Sequence, residues 1–180
     1  MPILGETTTL NNGDVVYYKT PEFRLTNQSG NSTSSKTFDG KVQVIDFFFT
    51  SCPTICPQMT KHLKIIEKEF ESESNVEIIS FSIDPLHDTP ERLKIYSKQY
   101  NIDNTKWSFL TSTSSDVLEL AKDYKVRAFN DGSFEEPSLL HDGTFILVDQ
   151  LSRIRGYYNG LDYNDVLKLK NDIKILLNNS

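Results

Sequence analysis

The run Val42-Gln43-Val44-Ile45-Asp46-Phe47-Phe48-Phe49 is the most restrictive segment of the chain. Rich in β-branched and aromatic side chains and nearly uninterrupted, it fits a strand covered on both faces. Such a strand needs a sheet around it and helices on either side of that sheet. The following residues supply them. Pro57 opens a helical stretch in which Met59, Leu63, Ile66 and Phe70 recur at i, i+4, i+7 and i+11, one apolar stripe that ends near Glu71. Val76 to Ile83 reads as a second strand. Asp88-Thr89-Pro90-Glu91 is a helix start with Thr89 as cap and Pro90 at the first position, and Leu93, Tyr96 and Tyr100 mark the buried face of that helix. Trp107 to Leu110 forms a third strand. Ser114-Ser115-Asp116 then precedes Val117, Leu120, Ala121 and Tyr124, again at helical spacing.

Phe145 to Val148 and Ile154 to Tyr158 flank a turn at Asp149 to Ser152, as an antiparallel pair requires. Asp162 caps a last helix striped by Val166, Leu169, Ile173 and Leu176, and the final Asn178-Asn179-Ser180 frays. Upstream, Phe23 to Thr26 runs into Asn27-Gln28-Ser29-Gly30-Asn31, a strand entering a turn. This order is expected of an α/β protein with a central sheet sandwiched between helices. A chain of 180 residues can bury most of its apolar surface in one domain, here residues 21–180 after an extension at 1–20.

The formal net charge of -6 comes without the clustered Lys and Arg that contacts to a phosphate backbone require, so nucleic acid is not expected as a partner. Neither an eighteen-residue apolar run nor a basic leader with a cleavage site stands at the amino end, and the residues read as soluble as written.

The two cysteines, Cys52 and Cys56, lie within five residues of each other and cannot staple distant parts of a scaffold. Their chemistry is local. Cys52-Pro53-Thr54-Ile55-Cys56-Pro57 joins the buried strand to the first long helix, where α/β folds present reactive groups. Pro57 disfavours helical geometry at Cys56, which places that residue at or just before the helix. There, unpaired backbone N–H groups and the helix dipole favour a thiolate. Four uses are open. The pair can be inert packing, although flanking prolines at a strand-to-helix junction argue against it. It can belong to a structural zinc site, which would have to draw on His62, His87 and His141 to reach four ligands. It can be a redox couple, with three intervening residues in place of the common two. Or the two soft thiolates can hold copper(I), an added imidazole making the site able to accept copper(II).

His141 follows Leu139-Leu140 and precedes Asp142-Gly143 and a strand, so it lies in a loop entering the sheet. His62 falls between the apolar positions Met59 and Leu63 and reads as a surface residue. His87, in Asp84-Pro85-Leu86-His87-Asp88, reads as solvent-facing beside a helix start, at most an accessory ligand. Asp84 ends the second strand. It either shapes the turn or, as a carboxylate near the metal, orients His141 or takes a proton that the thiols release.

Taken in order, several segments resemble the Sco (SenC) family of copper chaperones for cytochrome c oxidase. They are Asp39-Gly40-Lys41, Phe47 to Pro57, Ser82-Ile83-Asp84-Pro85 with Asp88-Thr89-Pro90, Trp107 to Thr111, His141, and Arg153 to Tyr158. The resemblance implies a thioredoxin-like fold with a central mixed sheet flanked by helices and an amino-terminal hairpin extension. It implies copper bound by Cys52, Cys56 and His141, with Cys52 and Cys56 also redox-active, and it matches Asp84 to a family aspartate near the site. The copper would be delivered to the dinuclear site of oxidase subunit II or another acceptor, or that site's thiols maintained. Family members are tethered by an amino-terminal membrane helix, which implies a periplasmic or otherwise extracytoplasmic location. On this reading the chain binds and transfers a metal and is not a turnover enzyme. The main rival is a thiol-disulfide oxidoreductase without obligatory copper, indifferent to loss of His141. A peroxide-reducing redoxin fits less well, because the Thr-x-x-Cys pocket with a supporting Arg is not evident.

Overall fold

The computed structural model describes residues 1–112, 116–124 and 143–178. Nine strands and four helices follow one another in these residues. β1 (Thr7–Thr9) and β2 (Val15–Tyr17) pair antiparallel as a small sheet of their own. β3 (Arg24–Asn27) and β4 (Ser32–Ser34) form a hairpin whose bend is the turn expected at Asn27 to Asn31. A 3₁₀ turn at Ser35–Phe38 leads to β5 (Val42–Phe48), α1 (Cys56–Glu69), β6 (Val76–Ser82) and α2 (Pro90–Gln99). β7 (Trp107–Thr111), α3 (Asp116–Asp123), β8 (Thr144–Val148), β9 (Ile154–Asn159) and α4 (Tyr163–Asn178) complete the order.

The main sheet runs β4-β3-β7-β6-β5-β8-β9. β5, β6 and β7 are parallel, whereas β3, β8 and β9 join antiparallel, so the sheet is mixed, as the resemblance implies. β5 lies between β6 and β8 and is buried at all seven positions, the environment its composition demanded. Its alternate residues enter two cores. Val42, Val44 and Phe48 pack with Met59, Leu63 and Ile66 of α1, Leu93 and Tyr96 of α2, and Val166, Leu169 and Ile173 of α4. Ile45 and Phe47 pack on the opposite face with Val117, Leu120 and Ala121 of α3 and with Phe38. Each fully buried aliphatic or aromatic side chain contributes about 1.5–3 kcal/mol. The alternation of β5 therefore ties both helical layers to one strand.

Two helix starts follow local rules closely. Thr89 caps α2, its side chain accepting from Arg92 N at 3.3 Å, and Asp162 Oδ1 accepts from Asn164 N at 2.8 Å at the head of α4. α1 begins one residue earlier than the proline suggests. Ile55 is already αR (φ −88°, ψ −32°), and its carbonyl accepts from Gln58 N and Met59 N. Pro57 stands in the first turn, where a backbone N–H has no intrahelical partner to lose, so Cys56 becomes part of the helix. The amino terminus is fastened to β9 by Arg155, which donates to the carbonyls of Pro2 and Met1. No helix of the described residues is long and apolar enough to cross a membrane.

Candidate metal centre

Cys52 and Cys56 stand as buried thiols, 7% and 1% exposed, where the carboxyl end of β5 turns into α1. The turn is closed by Cys52 N donating to Phe49 O at 3.2 Å. The two side chains are hydrogen-bonded to each other. Burial disfavours the Cys52 thiolate, but the backbone N–H groups of Cys56 and Thr54, the Thr54 hydroxyl at 3.6 Å and the Cys56 thiol outweigh it, and its pKa lies below that of an ordinary thiol. This is a helix N-terminus acting on a sulfur through its unpaired donors. Cys56, deeper in the core, is held well above the ordinary thiol range by burial, against a backbone hydrogen bond from Phe49. The neighbouring Cys52 sulfur and the charge of Asp46 add to that rise. The two sulfurs are therefore unequal: Cys52 loses its proton more readily than Cys56, which lies deeper.

The loop after β6 is locked to the cysteine turn. Ile83 N donates to Phe48 O at 2.9 Å, and Asp88, fully buried, accepts from Thr50 N at 3.0 Å, from Thr50 Oγ1, and from Ser82 Oγ at 2.6 Å. Arg92 Nε donates to the same Thr50 hydroxyl at 3.0 Å. Asp88 thus does more than precede a helix: its carboxylate fixes the residue two before Cys52. Asp84 is buried; its carboxylate meets His87, whose Nδ1 lies 2.8 Å from Asp84 Oδ1, and its backbone N donates to Ser82 Oγ at 3.2 Å. Its backbone carbonyl also accepts from His87 N and Asp88 N, so Asp84 shapes the turn. His87 is 69% exposed at its side chain, solvent-facing as expected.

His62 is half-buried, not a plain surface residue. Its Nδ1 donates to Gly160 O at 2.6 Å, and its ring sits 6.2 Å from that of Tyr163. Asp46 is the one charged residue of the run Val42 to Phe49. It is 3% exposed in the middle of β5, on the side of the sheet that faces α1. It accepts from Ser80 Oγ on β6, which in turn accepts from Trp107 Nε1 at 2.8 Å. The signal was present in the sequence: one ionisable residue inside a strand buried at every position.

His141 lies outside the described residues, as do Ser114 and Ser115. Among the described residues no group of three or more His, Cys, Asp or Glu side chains is placed to hold a metal ion. The chain re-enters the description at Gly143, whose positive φ of 77° favours glycine. A Cβ at Gly143 would stand 3.8 Å from Ile55 Cδ1, between the two cysteines in sequence, and 3.2 Å from Leu161 Cγ. Gly143 O accepts from Gly160 N at 2.8 Å. Among the described residues, two thiols at the head of α1 are thus placed side by side as soft donors, with Gly143 backed against Ile55 in the segment between them.

Residues 15–177 match the SCO1/SenC family model. The SCO1 protein homolog of Bacillus subtilis is 34% identical over 158 residues, covering 86% of this chain and 82% of that protein. A Stutzerimonas stutzeri protein named for copper binding is 25% identical over 143 residues, covering 76% of this chain and 67% of its own length. The solved structure of BsSco, described as a member of the Sco family of cytochrome c oxidase assembly proteins with a disulfide switch, superposes with a TM-score of 0.75. It is 33% identical, with 88% of this chain and 93% of that one covered.

Proposed function

The chain belongs to the SCO1/SenC family, and from that premise we propose that it captures one copper ion between Cys52, Cys56 and His141 and passes it to an acceptor during cytochrome c oxidase assembly. The observation that carries this reading is the contact between two buried thiols at a helix N-terminus. Two soft sulfur donors side by side favour copper(I) over hard cations. For the imidazole, the support is Gly143. Two residues span at most about 7 Å, and Gly143, two positions after His141, packs toward Ile55 between the cysteines. A third, nitrogen donor extends the site to copper(II). Copper displaces the thiol protons as it binds, Cys52 giving up its proton more readily than Cys56.

The finer reading names the acceptor as the dinuclear copper site of oxidase subunit II, reached by exchange of ligands from this chain's sulfurs to the acceptor's. The same reading sets the chain outside the cytoplasm, held at a membrane, and what supports it is that a similar solved structure is that of a SCO1/SenC family lipoprotein.

The unequal acidity of the two thiols favours a second activity on the same residues. Cys52 thiolate attacks one sulfur of an acceptor disulfide, forming a mixed disulfide and releasing the other acceptor sulfur as a thiolate, which takes up a proton. Cys56 then loses its proton and attacks Cys52 Sγ, expelling the second acceptor thiol. The acceptor gains two electrons, and this chain is left with a Cys52–Cys56 disulfide.

A transfer assay tests the proposal. The chain loaded with one equivalent of copper is mixed with excess reduced soluble domain of subunit II, the two are separated, and metal is measured in each. Most of the copper is expected with the acceptor. Copper that stays on this chain, together with acceptor disulfide reduced equally well by wild type and His141→Ala, would leave the thiol-exchange activity alone standing.

A further inference from the structure

α1 carries more of the centre than Cys56. Gln58 and His62, four residues apart on one helix, face the same way. Both reach the turn between β9 and α4: Gln58 Nε2 donates to Leu161 O at 2.9 Å, and His62 Nδ1 donates to Gly160 O at 2.6 Å. That turn holds the chain on its far side. Gly160 N donates to Gly143 O at 2.8 Å, and Leu161 packs against Gly143 Cα, where a Cβ would be only 3.2 Å from its Cγ. The space is tight from both directions, since a Cβ on Gly160 would lie 2.7 Å from Gly143 O. Helix, turn and re-entering strand thus form one clamp, with the cysteine turn at one end and Gly143 at the other.

We propose that Gln58 and His62 are positioning residues for the metal centre: by holding Leu161 and Gly160 they fix the Gly143 backbone against the cysteine helix and so set the reach of the chain bearing His141. The inference rests on the reading of His141 as a ligand. It has a consequence that general packing does not share. Copper(I) held by two thiolates needs only the cysteine turn, whereas copper(II) needs the imidazole as well. Loosening the clamp therefore separates the two oxidation states.

The experiment measures copper(I) and copper(II) affinities separately, by competition against chelators, for wild type, Gln58→Glu, His62→Leu, His62→Asn and His141→Ala. Gln58→Glu is nearly isosteric and removes the donor. His62→Asn keeps an N–H close to the place of Nδ1. Partners that orient a ligand are worth about 10–100-fold in metal affinity, so Gln58→Glu and His62→Leu are each expected to weaken copper(II) by about tenfold. Copper(I) should stay within about twofold of wild type, given that its two thiolate donors are untouched. His62→Asn restores copper(II) binding. If His141→Ala weakens copper(II) while the clamp variants do not, the positioning role is wrong and the three-ligand reading survives. Equal weakening of both oxidation states also overturns it, because the clamp would then only support the helix. If His141→Ala itself leaves copper(II) binding unchanged, the ligand reading falls and the inference falls with it.

Discussion

Cys52→Ser and Cys56→Ser are each expected to abolish stoichiometric copper(I) binding at micromolar protein concentration. A four-ligand metal site is worth roughly 10–16 kcal/mol, or about 3 kcal/mol for each ligand, and 3 kcal/mol is about a hundredfold in affinity. Losing one of two thiolates from a site with so few donors leaves copper(I) with a hydroxyl in place of a sulfur, a harder and poorer partner. Metal analysis after gel filtration reads the result directly: one copper per chain in wild type, and none retained in either variant. The two variants part company in thiol exchange. Cys52→Ser removes the more acidic sulfur and stops attack on a disulfide. Cys56→Ser leaves that attack intact and accumulates the mixed disulfide, visible as a covalent adduct by mass spectrometry. Copper retained by Cys56→Ser at wild-type stoichiometry would mean that this thiol is only packed beneath the site.

Asp46→Asn has the largest expected effect on stability, and its sign depends on pH. Burial pushes the Asp46 carboxyl up to about 7, against the hydrogen bond from Ser80, which lowers it. An unfolded aspartate titrates near 3.9. Between those values the folded chain holds a proton that the unfolded chain has released, so stability is fully present below about pH 3.9 and declines as pH rises to about 7. Three pH units at 1.36 kcal/mol each give a loss of about 4 kcal/mol over that window. Asparagine does not titrate, and its side-chain oxygen can accept from Ser80 as the carboxyl does. Denaturant unfolding of wild type and Asp46→Asn, run from pH 4 to pH 8, is expected to show the variant gaining about 4 kcal/mol relative to wild type across the range. A difference that stays within about 1 kcal/mol at every pH would mean that ionising Asp46 in the folded state carries no penalty.

The core of the fold was legible because its signals are local. The composition of Val42 to Phe49 dictated a strand with two covered faces, and β5 has both. The stripe Met59, Leu63, Ile66 gave α1 its buried side, and Thr89 and Asp162 cap the helices they precede. The pair Cys52 and Cys56 was placed at the strand-to-helix junction, where it stands. What the sequence could not show depends on contacts between remote segments. His62 looked like a surface residue because the turn that half-buries it comes from 98 positions away. Asp88 looked like part of a helix start, yet its carboxylate serves Thr50, 38 residues upstream. Asp46 needed Ser80 and Trp107 on neighbouring strands before its isolation in the core acquired a partner. Strand order is of the same kind, since β3 joins β7 across more than eighty residues by two antiparallel pairings. Asp84, expected either in a turn or beside a metal, has a described partner in the turn itself, His87.

In the proposed centre, the imidazole of His141 shares a copper ion with the two sulfurs. The most direct measurement is the copper(II) titration of wild type and His141→Ala, followed by the thiolate-to-copper charge-transfer absorption. Wild type is expected to take up one copper(II) with an intense band. His141→Ala should lose that band and about a hundredfold in copper(II) affinity, the worth of one ligand, while still binding one copper(I). A copper(II) spectrum and affinity in His141→Ala matching those of wild type would contradict the three-ligand centre.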